Sequence, residues 1–462
     1  MTDFPILLAP DRGQPACAII RVTKKGFDDW LKTQPARART AVTAARFEGK
    51  PDSHAFLPSD LGDGWSVVIG IDEGEHDPWQ LAGIAGRLPE GTYRLAEGSP
   101  GETALGWLLA QHRFDRYRET PEPARPRILL TPDPARIDEM VMLARATALV
   151  RDLVDTPTSD MGPEQLAEAI EAVARTHGAQ TGIVSGDALA EHYPMIHAVG
   201  RAATRERAPR LIELDWGHPD HPRLAIVGKG VCFDSGGLDI KPSSGMLLMK
   251  KDMGGAAHAL ALAQLVMTAR LPVRLQLLIP AVENAISADA FRPGDILRSR
   301  KGLHVEIGNT DAEGRLILGD ALTRACESDP ALLIDFATLT GAARVALGPD
   351  LPALFANDEA LAADFMGAGT AVSDPVWRLP LWQPYHEMLK SDVADINNAG
   401  SGGFAGAVTA ALFLERFVAK GVPWAHLDTF AWRPAAKPGR PKGGDALGLR
   451  AAWELVRKRF GR

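Results

Sequence analysis

The chain has 462 residues, of which 45% are hydrophobic and 24% are charged, and its formal net charge is -7. This length exceeds what one hydrophobic core usually supports, which predicts two domains, and the composition excludes a disordered, fibrous or membrane-spanning chain. The acidic balance makes nucleic acid an unfavourable partner, because phosphate binding depends on Lys and Arg that replace counterions.

The cysteines and the first residues bear on the compartment. Cys17, Cys232 and Cys326 are scattered, and their spacing fits neither a disulfide framework nor a cysteine-rich zinc site. The chain begins with an early acid and no basic stretch, and its longest apolar runs are strand-sized. We therefore expect a cytoplasmic protein with no membrane contact.

Residues 1–130 are predicted to form a small N-terminal α/β domain with short strands such as Trp65–Ile71. Residues 131–134 then predict a helix start, with Asp133 as the cap and Pro134 in the first turn. Apolar residues recur at helical spacing over 137–154. We interpret residues 131–156 as a linking helix between two domains.

The remaining residues, 157–462, show a β-α alternation after a predicted helix at Pro163–His177 that Gly178 ends. Apolar strands are predicted at 224–227, 275–280 and 332–336, with a helix at 255–269 between the first two. This order predicts a larger C-terminal α/β domain with a central mixed sheet flanked by helices. Ligands bind such sheets beyond the carboxyl ends of the strands.

A first group of charged residues lies among glycines and apolar side chains, in and after the segment VGKGVCFDSGG that begins at Val227. Its members are Lys229, Asp234, Lys241 and Asp252. Burying such charges is costly unless they are paired or bind metal. The glycines allow backbone to pack closely around the group.

A second group, Asp311 and Glu313, lies in NTDAEGR at 309–315. The two groups together supply four carboxylates. Such an oxygen-rich set is expected for paired divalent metals, and zinc, manganese or magnesium would fit it. Taken singly, an Asp or Lys beside glycine is more often a turn residue or part of a surface ion pair.

Three segments, VGKGVCFDSGG, KKDMGGAA and NTDAEGRLILGDAL, resemble the signature segments of the leucyl aminopeptidase (cytosol aminopeptidase) family, which are M17-type, two-metal metallopeptidases. Further similar segments follow in the same order, at 105–117, 149–167, 334–342 and 391–414. The resemblance runs from about Leu105 to the end of the sequence. Before that it is limited to a faint likeness at 47–50, so the role of the N-terminal domain stays open.

The resemblance implies a set of metal ligands. Lys229, Asp234, Asp252 and Glu313 would hold one ion, and Asp234, Asp311 and Glu313 would hold the other. Lysine can ligate only as the neutral amine, so a neighbouring dication must lower its pKa. The simpler alternative for Lys229 is a salt bridge to the same acids.

The resemblance also implies the catalytic and substrate-binding residues. A water that bridges the metals would attack the peptide carbonyl while Lys241 polarises it, and Arg315 would hold a bicarbonate ion that carries the proton to the leaving amine. The pocket for the first residue and the substrate backbone would be formed by Met249, Asn309, Thr338 and Gly341. An apolar wall such as Met249 favours leucine-like side chains.

The expected function is therefore metal-dependent release of N-terminal residues from peptides with a free amino terminus, by a homohexamer whose sites face an interior cavity. Three other functions are weighed against it. A DNA-binding role would require a steep salt dependence of binding. A catalytically silent scaffold is disfavoured because all seven metal and catalytic positions match. Substrate assays would distinguish a different two-metal hydrolase, such as a phosphoesterase.

Overall fold

The computed structural model describes residues 2–59, 64–73, 77–120 and 125–461. The chain folds into two compact units, one of Met1–Ala148 with Ala435–Lys442 and the other of Leu149–Pro434 with Gly443–Arg462. Among the described residues, the first unit contains one sheet and the second contains a large sheet and two smaller ones.

Within the described residues, the first unit contains a six-stranded mixed sheet in the order β1-β6-β5-β2-β4-β3. All its strand pairs are parallel except the β3–β4 pair. The predicted strand Trp65–Ile71 is confirmed as β4. The elements are β1 Leu8–Pro10, β2 Cys17–Thr23, α1 Phe27–Lys32, α2 Ala36–Ala44, β3 His54–Pro58, β4 Trp65–Ile71, α3 Ala82–Ala85, β5 Gly91–Leu95, α4 Thr103–Leu109 and β6 Arg127–Thr131, with a 3-10 turn at Phe4–Leu7.

The long helix α5 spans Ile137–Asp155, and the division between the two units falls within it. The predicted start is confirmed in position, because Asp133 is the N-cap residue and Pro134 the first residue of a helical segment. A 3-10 turn, Pro134–Arg136, precedes the α-helix, and the Asp133 side chain caps nothing. The backbone N–H of Asp133 instead donates to the hydroxyl of Thr131 at 3.1 Å, which holds this residue in a turn.

The next helix, α6, is confirmed at Pro163–His177, and it ends at Gly178 in the left-handed conformation with φ 66°. The remaining strands are β7 Gln180–Ser185, β8 Arg210–Trp216, β9 Arg223–Gly228, β10 Gly230–Asp234, β11 Arg274–Asn284, β12 Ile296–Arg298, β13 His304–Glu306, β14 Leu332–Ala337, β15 Ala353–Ala356, β16 Trp377–Arg378, β17 Ile396–Asn397, β18 Trp424–Asp428, β19 Trp432–Arg433 and β20 Gly443–Gly444. The remaining helices are α7 Gly186–His192, α8 Pro194–Gly200, α9 Ser243–Met246, α10 Gly254–Thr268, α11 Glu313–Cys326, α12 Gly341–Leu347, α13 Glu359–Ala371, α14 Gly406–Glu415 and α15 Leu449–Phe460, with 3-10 turns at Thr158–Asp160, Arg205–Arg207, Met249–Met253 and Gln383–Leu389.

The large sheet of the second unit has nine strands among the described residues, in the order β16-β15-β18-β14-β9-β11-β8-β7, and β10 pairs with the far part of β11. Its centre, β18-β14-β9-β11, is parallel, whereas β15, β8 and β7 run antiparallel to a neighbour. The predicted α/β class, with a small N-terminal domain and a larger C-terminal domain built on a mixed sheet, is confirmed.

Helices cover both faces of this sheet because its central strands are apolar on both sides. Ala225 and Val227 of β9 share a buried cluster with Leu316 and Ile317 of α11. The alternate residues of β9 face the other side, where α10 packs against β9 and β14. The carboxyl ends of the parallel strands therefore emerge between the first turns of α10 and α11.

Among the described residues, no helix has the combination of length and apolar character that a membrane crossing requires.

A buried ion-pair network ties α5 to the C-terminal part of the second unit. Asp445, which is 3% exposed, accepts from Arg151 Nη2 at 3.0 Å and from Arg433 Nε at 2.8 Å. Burial disfavours the Asp445 carboxylate, but the two guanidinium groups outweigh it and lower the pKa of Asp445. Each charge depends on the others, because a buried charge without a partner is strongly destabilising.

We predict that Asp445→Asn lowers the free energy of unfolding by up to about 3–5 kcal/mol, because it removes the carboxylate charge that two buried guanidinium groups share. Arg433 keeps its ion pair with Asp350, so part of the charge compensation remains in the variant. Urea unfolding at neutral pH measures the loss, and Asp220→Asn, whose side chain is 88% exposed, is the control. A carboxylate with a lowered pKa stabilises the fold above its unfolded pKa near 4 and loses that effect as the pH falls. The difference between wild type and variant should therefore shrink below about pH 4; equal stability at neutral pH would contradict the prediction.

Candidate metal centre

The centre begins where the parallel strands of the large sheet end. Lys229 directly follows β9, Asp234 is the last residue of β10, and Thr338 directly follows β14. The backbone N–H of Lys229 donates to the Phe336 carbonyl at 2.9 Å, which aligns the two strand ends. Neighbouring parallel strands thus place polar residues from distant parts of the sequence at one edge of the sheet.

Asp252 reaches this edge through the close approach of α10 to the sheet. A Cβ at Gly255 would lie 2.4 Å from the Phe336 carbonyl oxygen, so only glycine allows the approach. The preceding 3-10 turn, Met249–Met253, then holds Asp252 beside Lys229, with 2.5 Å between Oδ2 and Nζ. The Thr338 hydroxyl donates to Asp252 Oδ1 at 2.8 Å.

Glu313 is the first residue of α11 and is 1% exposed. Its Oε1 lies 3.0 Å from Lys229 Nζ, but outside hydrogen-bonding geometry, and no described residue donates a hydrogen bond to this oxygen. A Cβ at Gly314 would lie 2.4 Å from Lys229 Cε, so the lysine side chain passes directly over this glycine.

Lys241 links the remaining two carboxylates. Its Nζ lies 2.8 Å from Asp234 Oδ2 and also forms an ion pair with Asp311. The other oxygen of Asp234, Oδ1, accepts from the Gly236 N–H and from Asn284 Nδ2, each at 2.9 Å. Asp234 is therefore held on both of its oxygens.

The carboxylates of Asp234, Asp252 and Glu313 each offer an oxygen, and these oxygens all lie within 4.8 Å of one another. Three buried acids at this separation repel one another unless cations lie among them. Together with the hydrogen-bond-free oxygen of Glu313, this donor set fits a divalent ion that prefers oxygen ligands. Asp311 lies at the edge of the group, on the side of Lys241.

The titration of these groups reflects their burial and mutual charge. Burial, with a further contribution from Asp234, raises the pKa of Glu313 to about 8 and that of Asp311 to about 6. Burial opposes the charge of Lys229, but Asp252, Glu313 and Asp234 outweigh it and raise the pKa of Lys229. In the absence of metal, Lys229 is therefore a cation that neutralises the acids.

Arg315 follows Glu313 on the first turn of α11 and is 9% exposed. Its Nη1 donates to the Asn398 carbonyl at 2.7 Å, whereas its Nε, which is also buried, has no hydrogen-bond partner among the described residues. Burial lowers the pKa of Arg315. An anion beside this guanidinium would compensate part of that cost.

A cavity of about 510 Å³ opens over these residues. Glu313 is buried beneath it, beside Lys229. The other predicted site residues line it: Lys229, Asp234, Lys241, Met249, Asp252, Asn309, Asp311, Arg315, Thr338 and Gly341. The structure thus brings all of the predicted metal, catalytic and substrate-binding positions together.

Two asparagines that orient residues of the centre were not predicted from the sequence. Asn284 bridges Asp234 and the Thr310 carbonyl, and Asn398 Oδ1 accepts from the N–H of Gly308 at 2.8 Å, which fixes the loop before Asp311. Asn284 ends the apolar strand β11, so a polar residue at a strand end was an available signal. Asn398 carried no comparable signal.

Two basic residues of the cavity were also missed. Lys251 and Arg344 both line it, beside Phe430. Lys251 is the neighbour of Asp252 in the sequence, and it is buried.

Two family models match the chain. Residues 148–452 match the catalytic domain of the cytosol aminopeptidase family, and residues 18–130 match the N-terminal domain of M17 aminopeptidases. The second match extends the family resemblance to the N-terminal domain, where the sequence motifs gave only a faint likeness.

Individual relatives and solved structures are similar to this chain over most of its length. The probable cytosol aminopeptidase of Roseiflexus castenholzii is 42% identical over 79% of this chain and 78% of its own length. The crystal structure of the cytosol aminopeptidase from Coxiella burnetii has a TM-score of 0.93 and 45% identity, over 98% of this chain and 99% of that one. The bottromycin maturation enzyme BotP in complex with Mn has a TM-score of 0.85 and 33% identity, over 98% and 99% of the two chains.

We predict that Asn284→Ala weakens manganese binding about 10–100-fold, because Asp234 loses the donor that orients it. Calorimetric titration of the metal-free protein measures the affinity without any need for turnover. Asn357→Ala is the control, since the Asn357 amide also makes two hydrogen bonds, but to the backbone of Val422 and Trp424 rather than to a carboxylate. Equal affinity in wild type and Asn284→Ala would contradict a metal role for Asp234.

Proposed function

The chain belongs to the cytosol aminopeptidase family and is a hydrolase of the aminopeptidase type, and from this premise we propose that it releases N-terminal residues from peptides with the help of two divalent metal ions. The single observation that supports the metal dependence most strongly is the approach of three buried carboxylates, Asp234, Asp252 and Glu313, to within 4.8 Å of one another. Such a group is costly to bury without strong positive charge.

The ligand sets proposed from the family resemblance are consistent with the contacts of each side chain. Lys229, Asp234, Asp252 and Glu313 would hold one ion, and Asp234, Asp311 and Glu313 would hold the other. Lys229 would bind as the neutral amine, so metal binding would release its proton. When bound, two such ions acidify a shared water to form the nucleophile and polarise the substrate carbonyl.

Lys241 is proposed to stabilise the negative charge that develops on the carbonyl oxygen. Its Nζ lies 2.8 Å from Asp234 Oδ2, and the residue lines the cavity. A fixed cation beside the reacting carbonyl acts as an oxyanion-stabilising group without needing to reorganise.

Arg315 is proposed to hold a bicarbonate ion, because its buried Nε is free of hydrogen bonds to described residues and the guanidinium lines the cavity. A bicarbonate at this place would carry the proton from the water to the leaving amine. The substrate would be held by Met249, Asn309, Thr338 and Gly341.

The identity of the metal ions, the oligomeric state and the compartment are also part of the proposal. The oxygen-rich donor set suits manganese or zinc, and magnesium is a further candidate. A homohexamer is supported by family membership and by exposed apolar side chains such as Leu247 and Val345, which are 80% and 85% exposed; the sedimentation mass would test it. A reducing, cytoplasmic location is consistent with three free cysteines.

Hydrolysis of leucine p-nitroanilide should be lost after thorough chelation and restored by manganese or zinc. Glu313→Gln, which keeps the shape of the side chain and removes its charge, should lose bound manganese and turnover together. Metal content after gel filtration and initial rates measure both effects. The control is Glu168→Gln, at an exposed position on α6. Undiminished cleavage after chelation, or normal activity in Glu313→Gln, would overturn the metal-dependent function.

Lys241→Met should lower kcat about 10²–10³-fold, the range found when an oxyanion donor is removed. Manganese binding should persist or strengthen, since Lys241 no longer competes for Asp234 and Asp311. Rates at saturating metal and a calorimetric titration separate the two effects. Lys390→Met, at a side chain that is 69% exposed, is the control. An unchanged kcat would refute the catalytic role, and loss of bound metal would make Lys241 a structural residue.

A further inference from the structure

One wall of the cavity carries two positive charges on a single aromatic ring. Lys251 Nζ lies 5.5 Å and Arg344 Cζ lies 4.6 Å from the centroid of Phe430, and all three residues line the cavity. We call Lys251, Arg344 and Phe430 the basic wall. The ring interacts favourably with each cation, but it carries no negative charge to neutralise them.

The basic wall is short of counter-charge. Arg344 is exposed, and its guanidinium contacts the Phe430 ring without a carboxylate at ion-pair distance among the residues that the structure describes. Lys251 Nζ donates one long hydrogen bond, of 3.4 Å, to Asp252 Oδ1. That carboxylate already accepts from Lys229 and Thr338, and the proposed function assigns it to a metal ion.

The two cations also act on each other. Lys251 is 4% exposed, and its amine and the guanidinium of Arg344 approach the same ring, so two like charges lie close together. An anion bound between them would relieve this repulsion and would replace part of the hydration that Lys251 has lost. A carboxylate would suit Arg344 in particular, because its planar guanidinium can bind both carboxylate oxygens.

The basic wall adjoins the place where the first residue of a substrate would lie. Lys251 Nζ and the Thr338 hydroxyl contact the same oxygen of Asp252. A Cβ at Gly341 would lie 3.9 Å from Arg344 Nη2. Thr338 and Gly341 are residues that the proposed function assigns to the first-residue pocket, so a side chain there would extend from the carboxylate centre toward the basic wall.

Resting on the proposed function, we propose that the basic wall determines specificity for the first residue and favours substrates that begin with glutamate or aspartate. The methylene groups of glutamate would pack on Met249 and Phe430, and its carboxylate would lie at Arg344 and Lys251. This inference modifies the expectation of a purely leucine-like pocket, because Met249 provides apolar surface whereas the wall beyond it is cationic.

The test compares kcat/KM of the manganese-loaded enzyme for glutamyl, glutaminyl and leucyl p-nitroanilides. Glutamine has the shape of glutamate without its charge, so the Glu/Gln ratio isolates the electrostatic effect. We expect a ratio well above one in the wild type, and a decline with added salt because salt screens exposed charges. Arg344→Gln should lower this ratio at least about tenfold, as expected for a hydrogen bond between charged groups.

Further variants separate charge from shape. Arg344→Lys should keep much of the preference, whereas Lys251→Met should lower the same ratio. Arg298→Gln removes an exposed charge on β12 outside the cavity and should leave the ratio unchanged. A wild-type ratio of one or less, or an unchanged ratio in Arg344→Gln, would overturn the inference while leucine hydrolysis upholds the proposed function. Failure to hydrolyse all three substrates would overturn the proposed function, and the inference with it.

Discussion

The second domain depends on the pairing of buried acids with lysines at the carboxyl edge of its sheet. Asp252 and Glu313 are almost completely buried, and each lies within 3.0 Å of Lys229 Nζ. The cost of removing these charges from water must be met by their mutual attraction and by surrounding hydrogen bonds. Under the proposed function, the same carboxylates would bind metal ions once Lys229 releases its proton.

The rest of the domain can be understood as the framework that makes this convergence possible. Four parallel strands end at one edge, glycines at the start of α10 and α11 let helices and side chains approach within contact distance, and Asn284 fixes the orientation of Asp234. Rigid strands and helix starts position a site more exactly than mobile loops do. The buried carboxylates of the candidate centre therefore lie at strand ends and helix starts, and the cavity above them provides access.

Much of this arrangement could be predicted from local patterns. The helix Pro163–His177 was predicted to the residue, because Pro at its start and Gly178 after its end mark both boundaries. The α/β class followed from the order of apolar runs. The strand predicted at 275–280 runs on to Asn284, because sheet pairing with β10 continues beyond the apolar core. The helix start at Asp133 and Pro134 was predicted in the right place, but the Asp133 side chain makes no capping hydrogen bond.

The parts that could not be predicted are those that depend on distant segments meeting. Arg344 and Phe430 are separated from Lys251 by long stretches of sequence, and no local pattern indicates that they share one wall of the cavity. The claim on which the other conclusions rest is that metal ions bind among the buried acids. Anomalous diffraction from crystals grown with manganese tests it most directly. Two peaks among Asp234, Asp252, Asp311 and Glu313 are expected, and a well-ordered crystal with no peak there, or with manganese bound only elsewhere, would contradict it.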